Sequence, residues 1–177
     1  MAASPSSDSG PPGAAPLRLD RYLPYLINRA GVSLAARFGV ALRQAGVSLQ
    51  DWRVLAALGE RDGQRLTELA DHTSIEVSTL SRLVGGLEQH GMVTRERDAE
   101  DARAIAIRLT AAGAASVASL TPDARDLERA ALAGLNEAEI GQLKALLHRI
   151  YDNLAALPPA ADEPAKGGDI AAGKRQR

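Results

Sequence analysis

Cysteine is absent from the 177-residue chain. That removes disulfides, thiolate metal sites, a cysteine nucleophile and thiol-based redox sensing at once, and it suits a reducing compartment. Aromatic residues are scarce, at 3%, so a core has to be built from Leu, Ala, Ile and Val, which suits closely packed helices. No stretch approaches the roughly 20 apolar residues that a membrane span needs. Residues Met1–Pro16 lack the charged start and apolar run of a secretion signal, so the chain is expected to stay in the cytoplasm, away from membranes. An excess of one charge is missing too. The net charge is −1, so any surface that attracts polyanions must be local. Lysine occurs only at Lys144, Lys166 and Lys174. The positive charge is therefore mostly arginine, which suits bidentate contacts, although genome composition alone produces the same bias.

What is present is an apolar share of 45%, sufficient for the core of one ordinary domain with loose ends. The Ala-, Ser-, Pro- and Gly-rich Met1–Pro16 and the Pro-, Gly- and charge-rich Pro158–Arg177 read as disordered tails. Residues 17–157 remain as the folded part.

Helical spacing dominates that part. Leu23, Leu26, Ile27, Ala30, Leu34, Phe38 and Ala41 form the stripe of a first helix that tolerates Pro24 in its first turn and closes at Gly46. Ser48 and Asp51 make a capping box for a second helix, which buries Trp52, Val54, Leu55 and Leu58. A short third helix spans about Thr67–His72, with a break at Thr73-Ser74. A fourth, about Val77–His90, ends at Gly91 as a left-handed cap. Met92–Arg97 and Ala104–Thr110 then read as the two strands of a hairpin; in the second, Ile105, Ile107 and Leu109 alternate with Ala104, Ala106 and Arg108. Thr110 caps an Ala-rich helix to about Leu132, in which Pro122 predicts a kink or break. Asn136 and Glu139 cap a last helix whose stripe is Ile140, Leu143, Leu146, Leu147, Ile150 and Leu154.

Helix, helix, short helix, turn, helix, hairpin is the winged helix-turn-helix order. The fold class is therefore mainly α with a small β hairpin: a winged lobe over 48–110, flanked by dimerisation helices over 17–46 and 111–157. At roughly 100° per residue, the fourth helix turns Leu80, Leu83, Val84 and Leu87 to one face. The opposite face holds Ser78, Ser81, Arg82, Gly85 and Gln89. It is short, polar and free of acids, which the major groove of duplex DNA requires: small hydroxyls let the backbone approach and Arg82 can bond a guanine edge. On the hairpin, Arg95, Arg97 and Arg103 can reach a minor groove, with Asp101 placed to orient Arg103 and further acids at Glu96, Asp98 and Glu100.

An enzyme is disfavoured. His72, His90 and His148 show no metal-ligand spacing, and no phosphate loop or nucleophile elbow occurs, so no catalytic residue, cofactor or metal is expected. The remaining rival is a winged helix used for protein–protein contact without specific DNA binding. Tyr22, Tyr25 and Trp52 are candidates for lining a ligand pocket, although a Trp here is more simply core.

The stretch Ser78-Thr79-Leu80-Ser81-Arg82-Leu83-Val84, followed by Leu87-Glu88 and Gly91-Met92-Val93, resembles the recognition helix of the MarR family of bacterial regulators. Asp98-Ala99-Glu100-Asp101-Ala102-Arg103, then Ile107-Arg108-Leu109-Thr110 and Gly113, resembles its wing. The resemblance covers about Arg18–Leu157. It implies a homodimer with intertwined terminal helices on a pseudo-palindromic operator. In it Ser78, Thr79, Ser81 and Arg82 face the major groove and Arg103 reaches the minor groove, braced by Asp101; the reading of the residues themselves adds Gln89 and Arg97 to the DNA contacts and Asp98 to the wing's support. It also implies a small aromatic or anionic effector that releases the DNA. Three departures stand out: Gly85-Gly86 replace a common Asp-Arg pair, Ala102 replaces a wing arginine, and Glu76 stands where a hydroxyl cap is usual. These imply weaker or differently placed phosphate contacts.

Overall fold

The computed structural model describes residues 17–97 and 104–158. Its elements are α1 (Leu23–Gln44), α2 (Leu49–Glu60), β1 (Gln64–Arg65), α3 (Leu66–Thr73), α4 (Val77–Gln89), β2 (Val93–Arg97), β3 (Ile105–Leu109), α5 (Ala111–Ala131) and α6 (Glu137–Ala155). They fall into two compact units that divide between Ala131 and Leu132. No helix among the described residues is long and apolar enough to cross a membrane.

Local chemistry sets the helix ends. Ser48 Oγ accepts from the Asp51 amide at 3.0 Å while the Asp51 carboxylate accepts from the Ser48 amide at 3.3 Å, the expected capping box of α2. Asn136 and Glu139 do the same for α6, at 3.0 and 2.8 Å. The turn between α3 and α4 rests on Ser74, whose φ of 54° lies in the left-handed region. Gly91, at φ 67°, takes the left-handed position after α4, where a side chain would be strained.

The first unit packs α2, α3 and α4 against a small sheet. Its innermost side chains are Val54, Leu55 and Leu58 of α2, Leu69 of α3, Leu80 and Val84 of α4, Val93 of β2 and Ile107 of β3. Each such burial contributes about 1.5–3 kcal/mol. Phe38 and Leu42 close the core from α1 and Leu120 from α5. Trp52 is only half-buried and meets Phe38 edge-on, with ring centroids 5.3 Å apart. The stripe on α1 is covered only at its C-terminal end; Leu23, Leu26, Ile27 and Leu34 are exposed.

The expected hairpin forms and gains a third strand, while the alternation in β3 and a break at Pro122 are corrected. The hairpin is part of a three-stranded antiparallel sheet of order β1-β3-β2, because Gln64 and Arg65 pair with Ile107 and Ala106. A two-residue strand carries no periodicity to read. The alternation in β3 fails: Ile105 is 49% exposed and Ala106 only 1%. Ile105 pairs only with Arg97 at the tip end of the hairpin, whereas Ala106 lies in the middle strand between Arg65 and Glu96. Finally, α5 runs unbroken through Pro122. The proline removes one backbone donor, but Val117 and Leu120 before it, and Ala124 and Leu127 after it, all pack on the core and hold both halves in one helix.

The second unit contains α6. None of its residues is buried. Leu143, Leu146, Leu147, Tyr151 and Leu154 are exposed at 39–62%.

Candidate nucleic-acid interface

The face of α4 opposite Leu80, Val84 and Leu87 is available to a partner. Ser78, Ser81, Arg82 and Gln89 are exposed along it and Thr79 is half-buried. A Cβ added at Gly85 or Gly86 would meet nothing within 4 Å, so one turn of this face is bare backbone. The helix offers small hydroxyls, one guanidinium and one amide, with Glu88 drawn aside by Arg95.

That ion pair joins wing to helix. Arg95 Nη1 lies 3.2 Å from Glu88 Oε2, and its other terminal nitrogen donates to the Ser81 carbonyl at 3.5 Å. Arg95 is thus a strut between β2 and α4 rather than a hand extended from the wing. Arg108 of β3 plays a similar part, lying 3.4 Å from Glu96 and 3.5 Å from Asp62. Asp62 also accepts from the Leu109 amide at 2.9 Å and so fixes the loop before β1 to the sheet. Of the wing's acids, Glu96 is engaged in the pair with Arg108. Arg97 is exposed at the last described position of β2. Asp98, Asp101 and Arg103 lie outside the described residues.

The start of α4 is set by Glu76. Its carboxylate accepts from the Ser78 amide and the Thr79 amide, each at 2.9 Å, and from the Ser78 hydroxyl. These donors, the Ser78 hydroxyl foremost, hold the Glu76 carboxyl at about 2, below its ordinary 4.5. At the sixth residue of the helix, Arg82 donates to the Thr79 hydroxyl at 3.3 Å.

Behind α3, the buried Gln64 fastens the corner of the lobe. Its amide nitrogen donates to the carbonyls of Ala57 and Arg61 at 2.9 and 2.6 Å, while its oxygen accepts from the Arg61 guanidinium at 3.0 Å and meets His72 Nδ1 at 3.1 Å. His72 is accounted for by this network together with Glu60, 3.3 Å from its other nitrogen. His90 caps the far end of α4, with Nδ1 2.7 Å from the Gly86 carbonyl. Among the described residues no group of three or more His, Asp or Glu side chains could hold a metal ion. Sequence reasoning had not anticipated the Arg95–Glu88 strut, the Arg108 pairs or the role of Gln64. The strut and the Arg108 pairs cross between separate elements, and the role of Gln64 depends on β1.

A lobe of α2, α3 and α4 with a turn between the last two, followed by a β wing, defines a winged helix-turn-helix protein. Residues 45–104 match the MarR family model. A MarR family transcriptional regulator from Silicibacter pomeroyi superposes with a TM-score of 0.70 at 31% identity, covering 79% of this chain and 94% of that one. Another from Silicibacter pomeroyi DSS-3 gives 0.66 at 32% identity, over 78% and 99%. The HTH-type transcriptional repressor IacR of Pseudomonas putida is 27% identical over 116 residues, 66% of this chain and 70% of that protein. The chain belongs to the MarR family of transcriptional regulators.

Proposed function

We propose that the protein is a homodimeric repressor that occupies a pseudo-palindromic operator in duplex DNA and leaves it when a small aromatic or anionic molecule binds. It acts in the cytoplasm by occupancy and carries out no catalytic step. The observation that carries DNA reading is the outer face of α4, where Ser78, Ser81, Arg82 and Gln89 are exposed and the two nearby carboxylates, Glu76 and Glu88, are engaged by the helix N-terminus and by Arg95. Arg82 is the centre of that face and bonds a guanine edge or a phosphate; Arg97 and Arg103, braced by Asp98 and Asp101, extend contact to the minor groove. Repression is favoured by the relative IacR, which is named as a repressor. The effector follows from the family resemblance, and no residue is assigned to it.

Pairing of two chains is supported by the exposed leucines of α6 and of the N-terminal half of α1. A solitary molecule would leave these apolar stripes in water. Two copies related by a two-fold axis would read half-sites about one helical turn apart.

The test is binding to the intergenic DNA beside its gene at two salt concentrations. Affinity should fall steeply with salt, and Arg82→Ala should cost about 1–3 kcal/mol if the guanidinium meets a base. No duplex binding, with Arg82→Ala disturbing a protein complex instead, would favour the protein-contact reading.

A further inference from the structure

The hydroxyl of a serine normally reads either kind of base edge, because it can donate or accept and rotates to suit. Ser78 does not have that freedom. Its proton is directed to Glu76, and an ionised carboxylate can only accept. What Ser78 then offers to the outside is lone pairs alone. The neighbouring hydroxyl is engaged as well, since Thr79 accepts from Arg82. A single acidic cap therefore directs the Ser78 hydroxyl, the first polar group on the reading face, and holds the amide of Thr79, whose hydroxyl Arg82 meets.

We propose that Glu76 is a specificity-setting positioning residue: by holding the Ser78 proton it makes the N-terminal edge of α4 select adenine or cytosine, the amino-bearing bases, on the contacted strand at one position of each half-site. The inference rests on the reading that α4 enters the major groove. There adenine N6 and cytosine N4 are the donors that a lone-pair-only serine can accept from, whereas guanine O6 and thymine O4 would face it acceptor to acceptor. The negative charge of Glu76 has a separate effect. It repels phosphates and weakens binding to every sequence alike.

The experiment is selection of duplexes from a randomised pool by the full chain, followed by affinities for the selected sites and their single-base variants. The parent, Glu76→Thr, Glu76→Gln, Ser78→Ala, Arg82→Ala and the Glu76→Thr/Ser78→Ala pair are compared. Threonine keeps a hydroxyl cap for the helix but presents no carboxylate, and melting curves verify that each variant folds. In the parent, one position per half-site should favour an amino-bearing base. Glu76→Thr and Glu76→Gln should reduce that preference by roughly 2- to 10-fold, the worth of one net hydrogen bond, on top of any uniform gain. Ser78→Ala should lose the same preference, and adding Glu76→Thr to it should change nothing further at that position. A uniform change across all sequences in both Glu76 variants would overturn the inference while leaving DNA reading intact. A parent that selects no duplex, or whose binding ignores Arg82→Ala, would instead remove the DNA-reading proposal on which it stands.

Discussion

At the start of α4 the folded chain holds the Glu76 carboxyl at about 2, against 4.5 for a free one. Because the folded value lies below the unfolded one, the cap stabilises fully above pH 4.5 and its contribution is lost as pH falls toward 2. Glu76→Ala should therefore melt below the parent at neutral pH, and the difference should shrink between pH 4.5 and 2 in a series of thermal melts. A gap unchanged across that window would assign it to something other than the carboxylate. Gly113 is a second residue with a definite demand on it: a Cβ there would run into the Met92 carbonyl and come within 3.0 Å of the Leu109 side chain. Gly113→Ala should cost about 1–3 kcal/mol by denaturant unfolding, as overpacking does. The sequence shows both residues but not their reasons. Glu76 is visible as an acid before a helix, yet which hydroxyl it holds depends on a rotamer. The crowding at Gly113 is created by a carbonyl twenty-one positions earlier, which no local pattern displays.

The helices were legible because their period and caps are written locally. The stripe of α4 and the Ser48–Asp51 and Asn136–Glu139 boxes are recovered in the structure. The sheet was less so. β1 is defined by its pairing with β3, and burial along β3 does not alternate, since the neighbours Ala106 and Ile107 are both buried. Pro122 misled in the other direction: a local propensity against helix was outweighed by core contacts on both sides. Gly85 and Gly86 keep a similar cost inside α4. With open space at both Cβ positions, Gly85→Ala with Gly86→Ala should stabilise the chain by about 1–2 kcal/mol, raising its melting temperature. No rise would mean that the helix end is held by its neighbours regardless of propensity. The strut from Arg95 to Glu88 should show a coupling of about 0.2–1 kcal/mol in a double-mutant cycle on stability, as exposed pairs do.

For the whole molecule, a net charge of −1 says little about what it binds, since a sum does not show where positive charge is gathered on the surface. Pairing was legible in the sequence as stripes too wide for one lobe to cover, and the exposed leucines of α6 are consistent with it. Leu143→Glu with Leu147→Glu should shift the chain to a single copy in sedimentation and reduce operator affinity by about 100-fold or more, because two linked contacts become one. An unaltered mass would place the pairing surface elsewhere.

Every buried side chain among the described residues lies at or before Leu120. A ribosome that has extruded α5 has therefore already released all that the lobe's interior uses, and the remaining helix emerges afterwards. Maturation is thus staged by translation itself: the reading head can set first, and mating with another copy follows.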